Sequence, residues 1–256
     1  MLRLLVLIAA TAGAASAQTD ADLLARLLAA TTPAAPGVIP FGQLTSDLPP
    51  AALQAVTDST RARFLADWQP GLVREALTVL ERPDVARVAA RTAQRPPADQ
   101  VSSLALGVGD PKTPAADSAL AALYVRATGR TPATIALLER VFRAAAEDIP
   151  AACDDLQRRG QTIDEVIATQ LGSITDMLPA IDVATARLQL VGLPPDHVKA
   201  AAAFEATPAG RYVRTTIAEG TARALLPAIL DLIRATVPGA TSGAVTGVPR
   251  RYAPYK

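Results

Sequence analysis

The sequence predicts an all-α protein, an antiparallel helical bundle that divides into two similar helical halves. Three observations carry that expectation. Apolar residues recur at three- and four-residue spacing along most of the chain, helix-start chemistry is repeated, and the alternating pattern of strands is absent. Half of the residues are apolar but only 4% are aromatic, so the core must be built from Ala, Leu, Ile and Val. Alanine is also the strongest helix former.

Residues 1–17 have the plan of a secretory signal peptide: Arg3 as the basic start, an apolar run from Leu4 to Ala10, and Ala15-Ser16-Ala17 as a small-residue cleavage site. Cleavage after Ala17 leaves Gln18 first and predicts a periplasmic or secreted protein. The cysteine that a lipoprotein needs at that point is missing. The N-terminal half, 18–94, then opens at Thr19-Asp20, a capping pair, with Leu23, Leu24, Leu27 and Leu28 as one stripe. A turn-rich stretch from Thr32 to Pro40 follows. Asp47 before Pro49 and Pro50 starts the next helix, with Leu53, Val56, Thr60 and Phe64 on one face and Trp68 a turn further on. Leu72, Val73, Ala76, Leu77 and Leu80 form another stripe, and Pro83 restarts a short helix carrying Val85 and Val88.

From Arg95 to Pro114 the helical pattern breaks down among Pro96, Pro97, Gly107, Gly109, Pro111 and Pro114, and this stretch is expected to link the halves. Gly107-Val108-Gly109-Asp110 lacks the third glycine and the preceding strand of a phosphate loop, so it is a turn. The C-terminal half, 115–237, contains Thr131 as an expected cap with Pro132 at the first helical position. Ile135, Leu138, Phe142, Ala145 and Ile149 continue that stripe. Thr162-Ile163-Asp164-Glu165 is a capping box, followed by Val166, Ile167, Leu171, Ile174 and Leu178. Asp182 is expected to open a further segment with Val183, Ala186 and Leu190. Leu193-Pro194-Pro195 starts a helix that runs to Phe204.

At that point the chain reads Phe204-Glu205-Ala206-Thr207-Pro208-Ala209-Gly210-Arg211, ahead of a long helix through Leu225, Leu226 and Pro227. The stretch resembles a family of exported bacterial proteins catalogued as domain of unknown function 2059. Their recurring signature is an aromatic helix end, then Ser/Thr-Pro-x-Gly-Lys/Arg. The resemblance covers about residues 193–227 and departs at Glu205, where the family often has a second aromatic. It implies export and a small helical fold, and no established activity. The residues have their own physical reading. Thr207 caps the second helix, Pro208 takes its first position, Gly210 clears a side chain where two helices meet, and Phe204 anchors the corner. A second use of that helix start is an anion or ligand site formed with Lys199, Arg211 and Arg214. Leu123 to Gly129-Arg130 echoes Phe204 to Gly210-Arg211, which suggests a duplication of the halves.

The last residues, 238–256, are rich in Gly, Pro, Thr and Ser, end in a small basic and aromatic cluster, and form a flexible tail.

Composition narrows the function. Without Arg3, the 24 basic and 24 acidic residues balance, which disfavours nucleic acid as a partner. After signal removal no transmembrane segment is expected: the most apolar stretch, Ala222 to Val237, carries Arg223, Pro227, Asp231 and Arg234. One histidine, His197, and one cysteine, Cys153, cannot supply a zinc site, and no metal or other cofactor is expected. Cys153 reads as a buried small hydrophobe and His197 as an ordinary first-turn residue. Glu147-Asp148 and Asp154-Asp155 are solvated helix ends rather than a glycosidase pair, and Glu219–Arg223 is a surface helix pair. No catalytic residue is assigned. The leading expectation is a non-catalytic interaction or scaffold protein of the cell envelope, partnered by another envelope protein. Two alternatives follow: a carrier of a small apolar or amphipathic ligand between helices poor in aromatics, and an enzyme using His197 or an acid pair.

Overall fold

The computed structural model describes residues 19–31, 50–94, 96–108, 113–148 and 162–236. The expected signal peptide, the Thr32–Pro40 turn, Asp47, Ile149, Cys153, Asp154-Asp155 and the 238–256 tail lie outside these residues. Ten helices and no strand are found among the described residues, so the all-α expectation holds. They are α1 (19–30), α2 (Pro50–Ala66), α3 (Pro70–Leu80), α4 (Pro83–Thr92), α5 (Ala98–Ala105), α6 (Ser118–Thr128), α7 (Arg130–Asp148), α8 (Ile163–Gln189), α9 (Pro195–Glu205) and α10 (Pro208–Thr236).

Proline and polar caps set most of the starts. Pro70, Pro83 and Pro195 occupy first-turn positions, where a missing N–H removes no helical hydrogen bond. The Asp117 carboxylate accepts from the Leu120 N–H at 2.9 Å and starts α6. At α8 the capping box is complete: Thr162 Oγ1 accepts from Glu165 N–H, and the Glu165 carboxylate accepts from Thr162 N–H at 2.8 Å. At the corner between α9 and α10, Thr207 Oγ1 donates to the Phe204 carbonyl and accepts from Gly210 N–H. Phe204 is buried there as the expected anchor. A Cβ on Gly210 would lie 2.1 Å from the Phe204 carbonyl oxygen, so the corner has room only for glycine.

Four local expectations are corrected. The 95–114 stretch contains helix α5, whose Val101 is buried and which packs on α8. Just after that stretch, Ala116 N–H donates to the Arg187 carbonyl while Arg187 Nε donates to the Ala116 carbonyl. Thr131 is not a cap. Gly129 ends α6 in the left-handed conformation (φ +57°), α7 restarts at Arg130, and Thr131 sits inside its first turn. Asp182 opens no segment: α8 runs unbroken through Pro179 to Gln189, and Asp182 lies within it, 0% exposed. Proline removes one helical hydrogen bond, but Leu178, Ala184, Ala186 and Leu190 bury the same helix on both sides of it. Finally, Glu219 pairs with Arg63 of α2 at 2.5 Å across a helix crossing.

The expected halves contribute to one core. Leu23, Leu24 and Leu27 of α1, Phe64 of α2 and the α3–α4 stripes pack in one cluster with Ala121 and Val125 of α6. Ala186 of α8, Val198 and Phe204 of α9 and Val213 of α10 belong to it too. A second cluster joins Val56, Leu138, Val141, Leu178, Leu225 and Ile229 from α2, α7, α8 and α10. The longest seam is that of α2 on α10, where Val56, Thr60 and Phe64 form the buried face. Gly220 allows that approach, since a Cβ there would meet Thr60 Cα at 2.6 Å. The echo between the halves does not extend to glycine roles. Gly129 is a left-handed cap between helices, whereas Gly210 lies in the first turn of α10.

Candidate functional site

Where α1, α3, α4, α6, α7, α9 and α10 converge they leave a cavity of about 820 Å³. It is lined by small apolar side chains. On α4 and its C-cap, Ala86, Ala89, Ala90 and Ala93 fall at helical spacing on the facing side. Ile217, Ala218, Ala222 and Leu225 do the same on α10, Ala29 and Ala30 on α1, and Ala133 and Leu137 on α7. Helices held apart by the Leu and Val contacts of the core, yet facing one another with methyl groups, cannot fill the space between them. The alanine-rich, aromatic-poor composition thus produces the cavity directly. Its size lies within the range of sites for small organic molecules, about 300–1,000 Å³.

Two charged pairs stand on the wall, and Arg130, Tyr124 and several threonines also border it. At the rim, Arg26 of α1 makes a bidentate pair with Glu81 after α3, at 2.7–2.8 Å to the two carboxylate oxygens, and both side chains are exposed. Deeper, Glu205 at the end of α9 and Arg214 of α10 sit together. Arg214 Nη1 donates to the Ala127 carbonyl at 2.5 Å, reaches the Glu205 carbonyl at 3.4 Å, and lies 3.5 Å from Glu205 Oε2. Its guanidinium carbon is 3.6 Å from where a Cβ of Gly129 would stand. One cation thereby ties the carbonyl ends of α6 and α9 together. The Glu205 side chain is 22% exposed, and its buried Oε2 has no hydrogen-bond partner. Burial pushes the carboxyl up to about 7, against the opposing pull of Arg214.

From this wall a polar chain runs inward and links four helices. Tyr124 Oη lies 3.4 Å from Thr92 Oγ1, and burial raises the phenol above its ordinary value. Gln189 Nε2 donates to the carbonyls of Thr92 and Gln94, both at 2.8 Å. Arg130, which also borders the cavity, reaches Gln189 Oε1 at 3.4 Å and lies 3.5 Å from Asp182 Oδ1. Thr131 Oγ1 donates to Asp182 Oδ2 at 2.6 Å. Burial raises the Asp182 carboxyl, while Thr131 and Arg130 pull it down. A smaller recess of about 560 Å³ lies outside this chain, beside Arg91, Pro96, Pro97 and Pro114.

The three cations expected to form an anion site differ in their contacts. Lys199 is exposed on α9 at 3.8 Å from Asp196. Arg211 donates to the Ala206 carbonyl at 2.6 Å, on the exposed side of the corner. Of the three, only Arg214 lines the large cavity, and its Nη1 serves helix carbonyls. Phe204, Thr207, Pro208 and Gly210 hold the corner as architecture, and that corner delivers Glu205 to the cavity. His197 is half-buried on α9 with Nδ1 unpartnered, and it does not border the large cavity. No group of three His, Cys, Asp or Glu suited to a metal occurs among the described residues. No helix among them is long and apolar enough to cross a membrane.

Comparison with protein-family models, curated proteins and solved structures finds no match to this chain.

Proposed function

We propose that this protein binds and carries a small amphipathic molecule, with the alanine-lined cavity as its site. The carrying observation is an open cavity of about 820 Å³ whose wall is rich in alanine methyl groups and carries two charged pairs, Glu205 with Arg214 and Arg26 with Glu81, besides Arg130 and several hydroxyls. A chain molecule in this space would leave water along its length and keep a polar head at one of those two places. Burying apolar surface at roughly 25 cal/mol per Å² makes an alkyl chain a favourable occupant. With residues 1–17 read as an export signal, the cargo would be met in the periplasm or outside the cell.

The scaffold reading, drawn from export, balanced charge, the basic and aromatic tail and the lack of catalytic sets, has no observation at this cavity to favour it, and neither has the enzyme reading through His197, which does not border it. The binding reading is tested by titrating a fluorescent alkyl probe into the protein and into an Ala218→Phe variant. Saturable binding that falls at least tenfold when the bulky side chain occupies the lining at Ala218 is the expected result. Equal binding by both proteins, or none by either, would end it.

A further inference from the structure

We propose that the Glu205 carboxyl is the head-group contact of this cavity and that it selects a ligand whose alkyl body carries an ammonium head. The assignment rests on the binding reading above and specifies its ligand class. It starts from charge pairing along the wall. Arg26 is matched by Glu81 at the rim and Arg130 by the buried Asp182 behind it. The remaining pair, Glu205 and Arg214, is unequal. Arg214 Nη1 is drawn to the carbonyl ends of α6 and α9, at Ala127 and Glu205, each the negative end of a helix. The Glu205 carboxylate therefore shares its paired cation, Arg214, with two helix termini, and its Oε2 is buried without a hydrogen bond.

An anionic head at this place would face a carboxyl and two sets of helix carbonyls, with an arginine already engaged. A hydroxyl head would supply one hydrogen bond and leave the charge as it is. An ammonium head supplies several donors and the missing positive charge. In a site walled by Ala and Leu, such a charge-assisted contact is worth more than a neutral one. The side chain's elevated titration point fits the same imbalance: burial opposes its ionisation more strongly than Arg214 favours it.

The experiment is isothermal titration of the full-length protein with dodecylamine, dodecanol and dodecanoate. The amine and the carboxylate are kept below their micelle concentrations and the alcohol below its solubility limit, at about pH 8, where Glu205 is mostly ionised. The wild type and Glu205→Gln are compared after thermal melts show that both are folded. The proposal expects the amine to bind about tenfold or more tighter than the alcohol, the carboxylate to bind weakest, and Glu205→Gln to erase the amine's advantage while retaining the alcohol. Equal affinity for amine and alcohol in the wild type would overturn the head-group assignment, as would a preference for dodecanoate or an amine preference that survives Glu205→Gln. Each of these outcomes leaves the carrier reading intact, because alkyl chains still bind. Failure of all three ligands to bind saturably would instead sink the carrier reading, and the assignment with it.

Discussion

Gly220→Ala adds one methyl group at the α2–α10 seam, and its cost is readable from the geometry. The new Cβ would meet Thr60 Cα at 2.6 Å, Thr60 Oγ1 at 2.7 Å and Thr60 N at 2.9 Å. Two of those are backbone atoms, so no side-chain rotation relieves the contact and α2 must move away from α10 by most of an ångström. That displacement loosens Val56 and Phe64, which are 2% and 0% exposed on the same face. Overpacking of this kind costs about 1–3 kcal/mol, and the better helix propensity of alanine returns about 0.5–1 kcal/mol. The net centres on a loss of about 1 kcal/mol and reaches about 2.5 kcal/mol, or about 2–10 °C in Tm for a chain of this size. Gly172→Ala is the internal control. Gly172 is exposed within α8, and nothing lies within 4 Å of its added Cβ, so that variant should gain about 0.5–1 kcal/mol. Urea unfolding of the two variants beside the wild type reads both signs at once. A Gly220→Ala protein as stable as the wild type would refute the close crossing of α2 and α10.

The Glu205 carboxyl titrates at about 7 in the folded protein against 4.5 as its ordinary value, so the folded state holds the proton more tightly. Its contribution, about 3 kcal/mol, is therefore fully present below about pH 4.5 and is lost as the pH rises through 7. Chemical denaturation between about pH 5 and 8 should show the stability of wild type relative to Glu205→Gln falling as the pH rises; parallel profiles would contradict it. Phe204→Ala removes a 4%-exposed anchor from the α9–α10 corner and should cost about 3–5 kcal/mol, measured by the same unfolding. Thr162→Ala breaks one arm of the capping box and should cost about 1 kcal/mol, with hydrogen exchange rising in the first turn of α8 and not at its far end.

Features written in short-range chemistry were legible in advance. The α3 and α4 stripes, the α8 capping box, and the roles of Phe204, Thr207, Pro208 and Gly210 each depend on residues within a turn or two of one another. Asp182 shows where that legibility ends. An aspartate three residues after a proline has the local look of a helix start. It lies mid-helix because Arg130 and Thr131, about fifty positions away, receive its carboxylate. The cap expected at Thr131 fails for the same reason, its hydroxyl being turned to Asp182 rather than to its own helix. Glu219 likewise had a local partner at Arg223 and a tertiary one at Arg63, and the tertiary one won. The cavity was hinted at by the scarcity of aromatics, which says that a core is loosely supplied but not where the space collects. Glu205 stood out only as a departure from the motif it interrupts. Its importance comes from the corner that turns it toward α6 and α10.

The measurement closest to the central claim is native mass spectrometry of the full-length protein produced in a bacterium and recovered without detergent, compared with the same sample denatured. Carriage of an amphipathic molecule predicts an added mass of small-molecule size that disappears on denaturation and is absent from the Ala218→Phe protein. A wild-type spectrum with no added mass, unchanged after incubation with excess alkyl amine or alkyl alcohol, would contradict it.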